Sequence, residues 1–370
     1  MNNLSVNRRT WIKQAFMVSA SSLLVEPTLG AQHVIPQQNL PFVKLSSNEN
    51  PYGPSKKVLK VISSELNSAN RYPFVHANEL SERLVSKNNL ASDQVLLGAG
   101  SSQLLEWLSF WIVEKQLTLV YSKPTFEILP NLVQSLGGQI ESIPMSEGFE
   151  YDLDRLLEAA QKTKGVVYLV NPNNPTGTKI PKNKLKSFCE EISRHSFLIL
   201  DEAYIEYLSD DESILNSIRD NPKLIVVRTF SKVYGLAGLR VGYLMSNANI
   251  VSQLKEFSVW ANHSLNNVGI SAAMASLDDQ HFINESRSKN NRSRNQTLNS
   301  LSELKITPYP SHTNFIFFPT PENMDLRSLL AEQGVGIGQV KFENQVYARV
   351  TIGIQEEMSF LIKSLTKILQ

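Results

Sequence analysis

The sequence predicts an α/β fold, in which strands and helices alternate along the chain. Short apolar runs of the kind that form buried strands lie at residues 165–170, 197–200 and 224–227. Each run ends in a polar segment, as expected where a strand leaves the core for a loop. The chain has 370 residues, of which 42% are hydrophobic. It can therefore bury a large core, and its length suggests two domains.

Charge balance and cysteine count exclude several classes of protein. The formal net charge is +1, from 36 basic and 35 acidic residues, and no long block of one sign appears. A nucleic-acid footprint or a polybasic membrane patch is therefore not expected. The single cysteine, Cys189, excludes an intrachain disulfide framework and a cysteine metal cluster. Because His263, His281 and His312 are not spaced like metal ligands, no metal site is predicted.

The N-terminal segment has the pattern of an export signal. Arg8-Arg9 is followed by an aromatic residue, an aliphatic residue and a lysine, an order that resembles a twin-arginine signal. The uncharged run at residues 15–25 is too short to cross a bilayer, which takes about 20 helical residues, so no stable membrane insertion is expected. We predict cleavage after about residue 31 and a periplasmic or otherwise exported protein. A chance arginine pair in an amphipathic helix, and a cytoplasmic protein, is the alternative.

The region from residue 43 to residue 97 is predicted to hold two helices and a strand. Residues 43–54 are polar and contain prolines, which exclude a regular helix. Amphipathic helices are expected at residues 55–66 and 77–87, and a short strand at residues 94–97.

A candidate anion site lies at the turn that follows this strand. The turn contains Ala99, Gly100 and Ser101, and an apolar helical run comes next. Glycines let the backbone approach an anion, and the free N–H groups at a helix N-terminus attract it. The pattern therefore favours a phosphate cradle, with an ordinary glycine-rich turn as the alternative.

Candidate catalytic groups follow two of the buried runs. Asp201 comes directly after one run, where a carboxylate in a dry crevice is costly unless a cation pairs with it. Lys232 lies just beyond the next, at the strand end where open α/β sheets bind ligands. Partial loss of hydration and a cationic neighbour would free the lone pair of this amine, which makes it a plausible Schiff-base former. A right-handed connection brings the two residues to one sheet edge. Helix caps are the alternatives.

The C-terminal part is predicted to form a smaller α/β domain. Residues 286–296 are polar and basic, and we expect them to be the solvated start of a long helix that joins two domains. A strand at residues 313–318 opens the smaller domain. Further on, strand alternation places Arg349 on the face opposite Ala348 and Val350. A guanidinium can present paired donors to a carboxylate, although an exposed strand arginine is the alternative.

Several of these motifs together resemble those of one enzyme family. Ser231-Lys232 is followed by Arg240 in an Ala-Gly-Leu-Arg sequence, and residues 48–54 read Asn-Glu-Asn-Pro-Tyr-Gly-Pro. From about residue 45 onward the chain resembles the fold-type I pyridoxal-phosphate aminotransferases, in the histidinol-phosphate aminotransferase branch. The resemblance implies a large domain with a mostly parallel seven-stranded sheet and a smaller α/β domain. It also implies pyridoxal 5'-phosphate as cofactor, amino acid and 2-oxo acid substrates, and a homodimer with shared active sites.

The resemblance implies a role for each matched residue. Lys232 would bind the cofactor covalently and move protons. Asp201 would keep the pyridine nitrogen of the cofactor protonated, and Tyr204 would form a hydrogen bond with its phenolic oxygen. Phe126 would stack on the ring without the hydroxyl of the commoner tyrosine. Tyr52 would reach the cofactor phosphate of the neighbouring subunit. The implied cofactor contacts are Tyr52, Ala99, Gly100, Ser101, Phe126, Asn174, Asp201, Tyr204, Ser231, Lys232 and Arg240.

The substrate is left open. The resemblance implies that Arg349 holds the acidic end of the substrate, with Tyr52 and Asn174 beside it. Histidinol-phosphate aminotransferases usually carry a further arginine in the small domain, and Gln339 or Lys341 stands near that place here. The substrate is therefore histidinol phosphate, an ordinary amino acid or a dedicated secondary metabolite. A decarboxylase of a phosphorylated amino acid and a non-catalytic cofactor-binding protein are the alternatives.

The predicted boundaries divide the chain into four parts. An export signal occupies residues 1–31, and an N-terminal arm that joins the small domain occupies residues 32–70. The large cofactor-binding domain covers residues 71–280, and the small domain covers residues 281–370.

The Asn174–Pro175 bond is a candidate for the cis form.

Overall fold

The computed structural model describes residues 42–163, 165–209, 212–322 and 324–370. These residues belong to one compact unit that begins at Phe42. The predicted export signal and the first part of the predicted N-terminal arm lie outside the described residues. Both, together with the predicted domain boundaries, stay predictions. None of the described helices is long and apolar enough to cross a membrane.

Two sheets contain the strands of the described part. Their bounds are β1 (Val43–Leu45), β2 (Val95–Gly98), β3 (Thr118–Lys123), β4 (Gln139–Pro144), β5 (Val166–Val170), β6 (Phe197–Asp201), β7 (Leu224–Thr229), β8 (Gly242–Met245), β9 (Phe315–Pro319), β10 (Val335–Phe342) and β11 (Gln345–Thr351). The larger sheet has the order β2-β8-β7-β6-β5-β3-β4, and only β8 runs antiparallel to its neighbours. This arrangement confirms the predicted α/β class and the mostly parallel seven-stranded sheet.

Helices cover the larger sheet and pack beside the smaller one. Those in the described residues are α1 (Lys56–Glu65), α2 (Phe74–Asn88), α3 (Ser101–Glu114), α4 (Ile128–Ser135), α5 (Leu153–Thr163), α6 (Lys182–Ile192), α7 (Ala248–Lys255), α8 (Asn267–Leu277), α9 (Gln280–Glu303), α10 (Leu326–Glu332) and α11 (Gln355–Leu369). The two helices predicted after residue 54 correspond to α1 and α2. Ser55 begins the first of them, because its side chain accepts a hydrogen bond from the Val58 N–H.

The central strands of the larger sheet are buried on both faces. All five residues of β5 are buried, and so are four of the five in β6. Tyr168 and Val170 belong to one hydrophobic cluster, whereas Val167 and Leu169 belong to another. This period of two divides the core into two layers, one on each face of the sheet. Continuous apolar runs are what a doubly covered parallel sheet requires, which explains why the sequence signal was strong here.

The long helix α9 differs from its prediction in one respect. A helix does run through residues 286–296, but its polar side chains are not all solvated. Ser286, Asn290 and Ser293 are each 5% exposed or less. Asn290 Nδ2 donates to the Thr313 carbonyl at 3.1 Å, and Ser293 Oγ donates to the Gly353 carbonyl at 3.0 Å. These polar residues are buried because they satisfy backbone groups of the neighbouring chain segments.

The smaller sheet joins the N-terminal segment to three C-terminal strands. Its order is β1-β10-β11-β9. β1 runs parallel to β10, while β11 is antiparallel to both of its neighbours. The register pairs Arg349 with Gly338 on β10 and with Phe317 on β9. As a result, the residues that follow β1 are close to the strand that carries Arg349.

Candidate active site

The loops after β5, β6 and β7 bring the candidate catalytic residues to one edge of the larger sheet. These three strands are adjacent and parallel, so their carboxyl ends lie side by side. Asp201 is the last residue of β6, Lys232 follows the end of β7, and Asn174 lies in the loop after β5. The fold therefore brings together an amine, a carboxylate and an amide that are distant in sequence.

Asp201 is a buried carboxylate that contacts no cationic side chain among the described residues. Its side chain is 1% exposed, and its Oδ1 accepts from the Ala203 N–H at 3.0 Å. Oδ2 accepts from the Tyr168 hydroxyl at 3.3 Å. Burial raises the pKa of Asp201 to about 6, although these two hydrogen bonds and the positive charge of Lys232 lower it. Among the described residues, no lysine, arginine or histidine nitrogen lies within 4.0 Å of this carboxylate.

Lys232 lies between the N-terminal segment and the ring of Tyr204. Its Nζ is 3.5 Å from the Ser47 carbonyl oxygen and 5.4 Å from the centre of the Tyr204 ring. The Tyr204 phenol is 2% exposed and accepts a hydrogen bond from Asn48 Nδ2 at 2.9 Å. Lys232 forms no salt bridge with any described residue.

The turn after β2 forms a cradle beside an arginine. Gly100 has φ of +77° and begins α3, and a Cβ built on it would collide with the Arg240 guanidinium. Arg240 donates to the Ala237 carbonyl at 3.2 Å and lies 3.5 Å from the Ser102 hydroxyl. It has no carboxylate within 4.0 Å in the described part of the chain. A helix N-terminus beside an unneutralised guanidinium is suited to bind an anion.

Two of the three predicted phosphate contacts at this turn already have hydrogen-bond partners within the chain. The Ala99 N–H donates to Gln103 Oε1 at 2.8 Å, and Ser231 Oγ accepts from Thr229 Oγ1 at 2.9 Å. Ser101 N lies against the bare Cα of Gly242, where a Cβ would not fit. The structure thus places Ala99, Ser101 and Ser231 around the turn, with the Ala99 donor occupied by Gln103.

Arg349 is a second guanidinium that has no acidic partner in the part of the chain that the structure describes. Its Nη1 donates to Asn174 Oδ1 at 2.8 Å, and its Nη2 donates to the Ser46 carbonyl at 2.7 Å. Its Nε is buried and has no hydrogen-bond partner. Burial lowers the pKa of Arg349, and no carboxylate among the described residues lies within 4.0 Å to offset this loss of hydration. A carboxylate ligand would satisfy both the charge and the free donor.

The strand register places Gln339 and Lys341 on the face of the sheet opposite Arg349. Gln339 pairs with Ala348, so its side chain is on the face opposite Arg349, and Lys341 shares its orientation. The residue that faces Arg349 across the strand pair is Gly338. A Cβ on Gly338 would lie 3.3 Å from Nε and from Nη2 of Arg349. The position beside the guanidinium therefore carries no side chain at all.

Phe126 and Tyr52 have different surroundings. Phe126 is partly buried and packs against the hydrophobic cluster that includes β5 residues Tyr168 and Val170. The Tyr52 ring has Lys289 Nζ 4.9 Å from its centre, and none of its described contacts involves the other candidate residues. The Asn174–Pro175 bond is cis, as predicted, and so are two X-Pro bonds that were not anticipated.

Comparison with known proteins identifies the family. A family model for aminotransferase class I and II matches residues 41–365. The chain belongs to this family. Histidinol-phosphate aminotransferase 2 of Nitrosospira multiformis is 34% identical to this aminotransferase over 329 residues, which are 88% of this chain and 83% of that protein. Histidinol-phosphate aminotransferase 1 of Idiomarina loihiensis is 34% identical over 344 residues, which are 92% of this chain and 91% of that protein.

The fold of this aminotransferase also matches solved structures. A crystal structure of histidinol-phosphate aminotransferase from Sinorhizobium meliloti in complex with pyridoxal-5'-phosphate matches with a TM-score of 0.81 and 26% identity. The match covers 89% of this chain and 91% of that chain. The protein is thus a pyridoxal-phosphate-dependent transaminase of amino acids and oxo acids. The decarboxylase alternative is not favoured, because the relatives that are 34% identical over most of the chain are histidinol-phosphate aminotransferases.

The residues of the site fit pyridoxal 5'-phosphate on structural grounds. The buried carboxylate of Asp201 has no cation within 4.0 Å among the described residues, and a protonated pyridine nitrogen would supply one. The space that a Cβ on Gly100 would fill lies against Arg240, where a phosphate can bind. No group of three or more potential metal ligands was found in the described residues. The Asp201 carboxylate and the Arg240 guanidinium thus offer the charges that suit a basic ring and a phosphate.

Sequence reasoning missed two residues that contact this site. Tyr168 donates to Asp201, and Asn48 donates to Tyr204. A tyrosine inside a fully buried strand is a usable signal, because its hydroxyl must find a polar partner in the core. Asn48 gives no such signal, since asparagine in a polar loop is ordinary.

Proposed function

We propose that Lys232 is the residue to which the cofactor of this aminotransferase is attached. Its amine has no salt-bridge partner in the described part of the chain and lies next to Tyr204. An amine at this edge of the sheet can reach a ligand that binds at the carboxyl ends of the strands. Asp201 and Tyr204 would complete the catalytic group, at the ring nitrogen and the phenolic oxygen of the cofactor.

The surrounding residues are proposed to hold the rest of the cofactor. Asn174 and Tyr204 would bind the phenolic oxygen, Phe126 would stack on the ring, and Arg240 would neutralise the phosphate. The proposed phosphate contacts also include Ala99, Gly100, Ser101, Ser231 and a Tyr52 from a second subunit. The orientation of the Gly100 turn against Arg240 supports the phosphate assignment. When bound, the cofactor supplies a protonated ring that withdraws electrons from the substrate α-carbon.

Lys232 and Asp201 are proposed to divide the proton chemistry between them. The free Lys232 amine would act as the base and acid that moves the proton of the substrate α-carbon. Asp201, ionised beside a cationic ring nitrogen, holds the proton on that nitrogen. Its burial makes the pairing favourable, because the carboxylate is otherwise costly in the core.

The observation that carries the substrate proposal is the unpaired guanidinium of Arg349. Its buried Nε has no partner, and no described carboxylate compensates its charge. We infer that it binds the carboxylate of an amino acid donor, with Asn174 holding one side of the guanidinium. Gly338 leaves no second cation opposite Arg349. Histidinol phosphate remains the second candidate substrate, favoured by the names of the relatives in sequence and in structure.

A donor panel tests this proposal. The purified protein is mixed with acidic, aromatic and aliphatic amino acids and with histidinol phosphate, while cofactor absorbance and keto product are followed. Arg349→Gln should raise KM at least about tenfold for carboxylate-bearing donors, with a smaller change in kcat. The KM of Arg349→Lys should lie between those of the wild type and Arg349→Gln. Arg83→Gln is the matched control, since that exposed arginine pairs with Asp278. An unchanged KM for every carboxylate donor in Arg349→Gln contradicts the assignment.

Dimerisation with an exchanged Tyr52 is a further part of the proposal. Its support is that Tyr52 lies beside Lys289 and makes no described contact with the cradle of its own chain. In a mixture of Lys232→Ala and Tyr52→Phe proteins, each mixed dimer would contain one site with both native residues. Cofactor affinity should therefore recover in the mixture relative to Tyr52→Phe alone. Mixed dimers without recovery would mean that Tyr52 does not serve the second subunit.

Export through a twin-arginine signal is proposed on sequence grounds alone. This route carries folded proteins, which suits an enzyme that acquires its cofactor before transport. Cell fractionation should place the protein outside the cytoplasm, and replacing Arg8 and Arg9 with lysines should retain it inside. Cytoplasmic protein with both arginines intact would overturn the proposal.

A further inference from the structure

Residues 46–48 form a short segment that contacts three functional side chains in succession. The contacts are Ser46 O with Arg349 Nη2 (2.7 Å), Ser47 O with Lys232 Nζ (3.5 Å) and Asn48 Nδ2 with Tyr204 Oη (2.9 Å). Only the third contact is made by a side chain of the segment. Asn48 can therefore be altered without removing the carbonyls that meet the arginine and the lysine.

Several contacts fix the position of Asn48. It is 1% exposed, and its φ of +54° is in the left-handed region, which is uncommon for residues other than glycine. Its N–H donates to Thr351 Oγ1 at 2.9 Å, and its carbonyl accepts from Asn314 Nδ2 at 3.0 Å. A conformation of this kind persists when its surroundings over-determine it, and such positions cluster at functional sites.

The direction of each hydrogen bond among Asn48, Thr351 and Tyr204 follows from which atoms can donate and which can accept. Thr351 Oγ1 accepts from the Asn48 N–H, so its own hydrogen is free to donate to Asn48 Oδ1 at 3.2 Å. With Oδ1 held by Thr351, the amide nitrogen of Asn48 faces Tyr204 and donates to its phenolic oxygen. A tyrosine oxygen that accepts this bond must direct its single hydrogen elsewhere.

We propose that Asn48 is a positioning residue that aims the Tyr204 hydroxyl at the cofactor. The proposal rests on the assignment of Tyr204 to the phenolic oxygen of the cofactor. A hydroxyl that accepts one hydrogen bond becomes a stronger donor in the next. Asn48 thus strengthens the bond that Tyr204 donates, which stabilises negative charge on the phenolic oxygen. The bound cofactor then loses its proton at a lower pH than it would without Asn48.

The test measures the pH midpoint of the absorbance change of the bound cofactor. Asn48→Asp has nearly the same shape but presents only acceptors, so Tyr204 would donate to it and turn away from the cofactor. The midpoint should rise by roughly half a unit or more, as expected for the loss of one hydrogen bond. Asn48→Gly tolerates the positive φ, keeps the N–H bond to Thr351 and should shift the midpoint in the same direction.

A double-mutant cycle separates positioning from general disturbance. In a Tyr204→Phe background, Asn48→Gly should leave the midpoint unchanged to within about a fifth of the single-mutant shift, because the hydroxyl is absent. If Tyr204→Phe raises the midpoint but neither Asn48 variant does, this inference is overturned and the cofactor assignment stands. If Tyr204→Phe does not shift the midpoint, both this inference and the assignment of Tyr204 to the phenolic oxygen are overturned. An equal Asn48 shift with and without the hydroxyl also overturns the inference.

Discussion

Replacing Asp201 with asparagine should stabilise the cofactor-free enzyme while weakening its hold on the cofactor. The side chain is 1% exposed, and burial raises its pKa from 3.8 to about 6. Asparagine has the same shape and no charge. It can still accept from the Ala203 N–H and can form a hydrogen bond with the Tyr168 hydroxyl. The substitution therefore removes the charge with little change in packing.

The pKa difference sets the size and the sign of the effect. A shift from 3.8 to about 6 is roughly two units, and at about 1.4 kcal/mol for each unit the ionised carboxylate costs about 3 kcal/mol at neutral pH. Because the folded pKa is above the unfolded one, the folded state holds its proton longer as pH rises. The stability of the wild-type protein therefore falls as pH rises from about 4 through 6 and is level above this range.

Urea unfolding of the cofactor-free proteins between pH 4 and pH 8 measures this difference. Asp201→Asn should exceed the wild type by about 3 kcal/mol above pH 7, and the gap should close towards pH 4. Addition of pyridoxal 5'-phosphate should reverse the order, since only the wild type can pair with a protonated ring. Equal stability of the two cofactor-free proteins at pH 7.5, or a gap that is independent of pH, would refute the reasoning.

Two further substitutions test the surroundings of the cofactor. Gly100→Ala places a Cβ against the Arg240 guanidinium and should lower cofactor affinity at least about tenfold in equilibrium dialysis. Gly137→Ala has a similar φ of +80° and open space around its Cβ, so it should lose stability but keep affinity; equal affinities would contradict the cradle. Tyr168→Phe should raise the pKa of Asp201, which burial raises and this hydroxyl lowers. The stability lost between pH 4 and pH 8 should then grow by about 1 kcal/mol, and an unchanged profile would count against the bond.

The central sheet and the residues at its edge could be predicted from the sequence for one physical reason. A strand covered on both faces must be apolar throughout, so its end is marked by the first polar residue. Asp201 and Lys232 stand just past such runs, and the parallel order of β6 and β7 then brings them to one edge. The sequence pattern predicts the position of a strand correctly wherever burial alone determines where the strand begins and ends.

Prediction failed where pairing register or tertiary hydrogen bonds decide the outcome. Gln339 and Gly338 are neighbours in the chain, and only the alignment of β10 with β11 tells which of them faces Arg349. A shift of one residue in this register would place Gln339 instead of Gly338 opposite Arg349. In the same way, the polar sequence of α9 does not reveal that Asn290 meets a backbone carbonyl of a segment 23 residues later. Hydropathy reports how strongly a side chain prefers water, but this amide is buried because it forms a hydrogen bond inside the fold.

The contact between Asn48 and Thr351 has a consequence for how the site forms. The two residues are separated by 303 positions, and Arg349 reaches Ser46 across the same separation. Bonds between such distant residues form only after the intervening sheet is in place, because closing a long loop costs entropy that later contacts must offset. Lys232 meets the segment between these two contacts. Its final position therefore depends on the completed fold, so the proposed attachment of the cofactor at Lys232 would require the N-terminal segment to be docked.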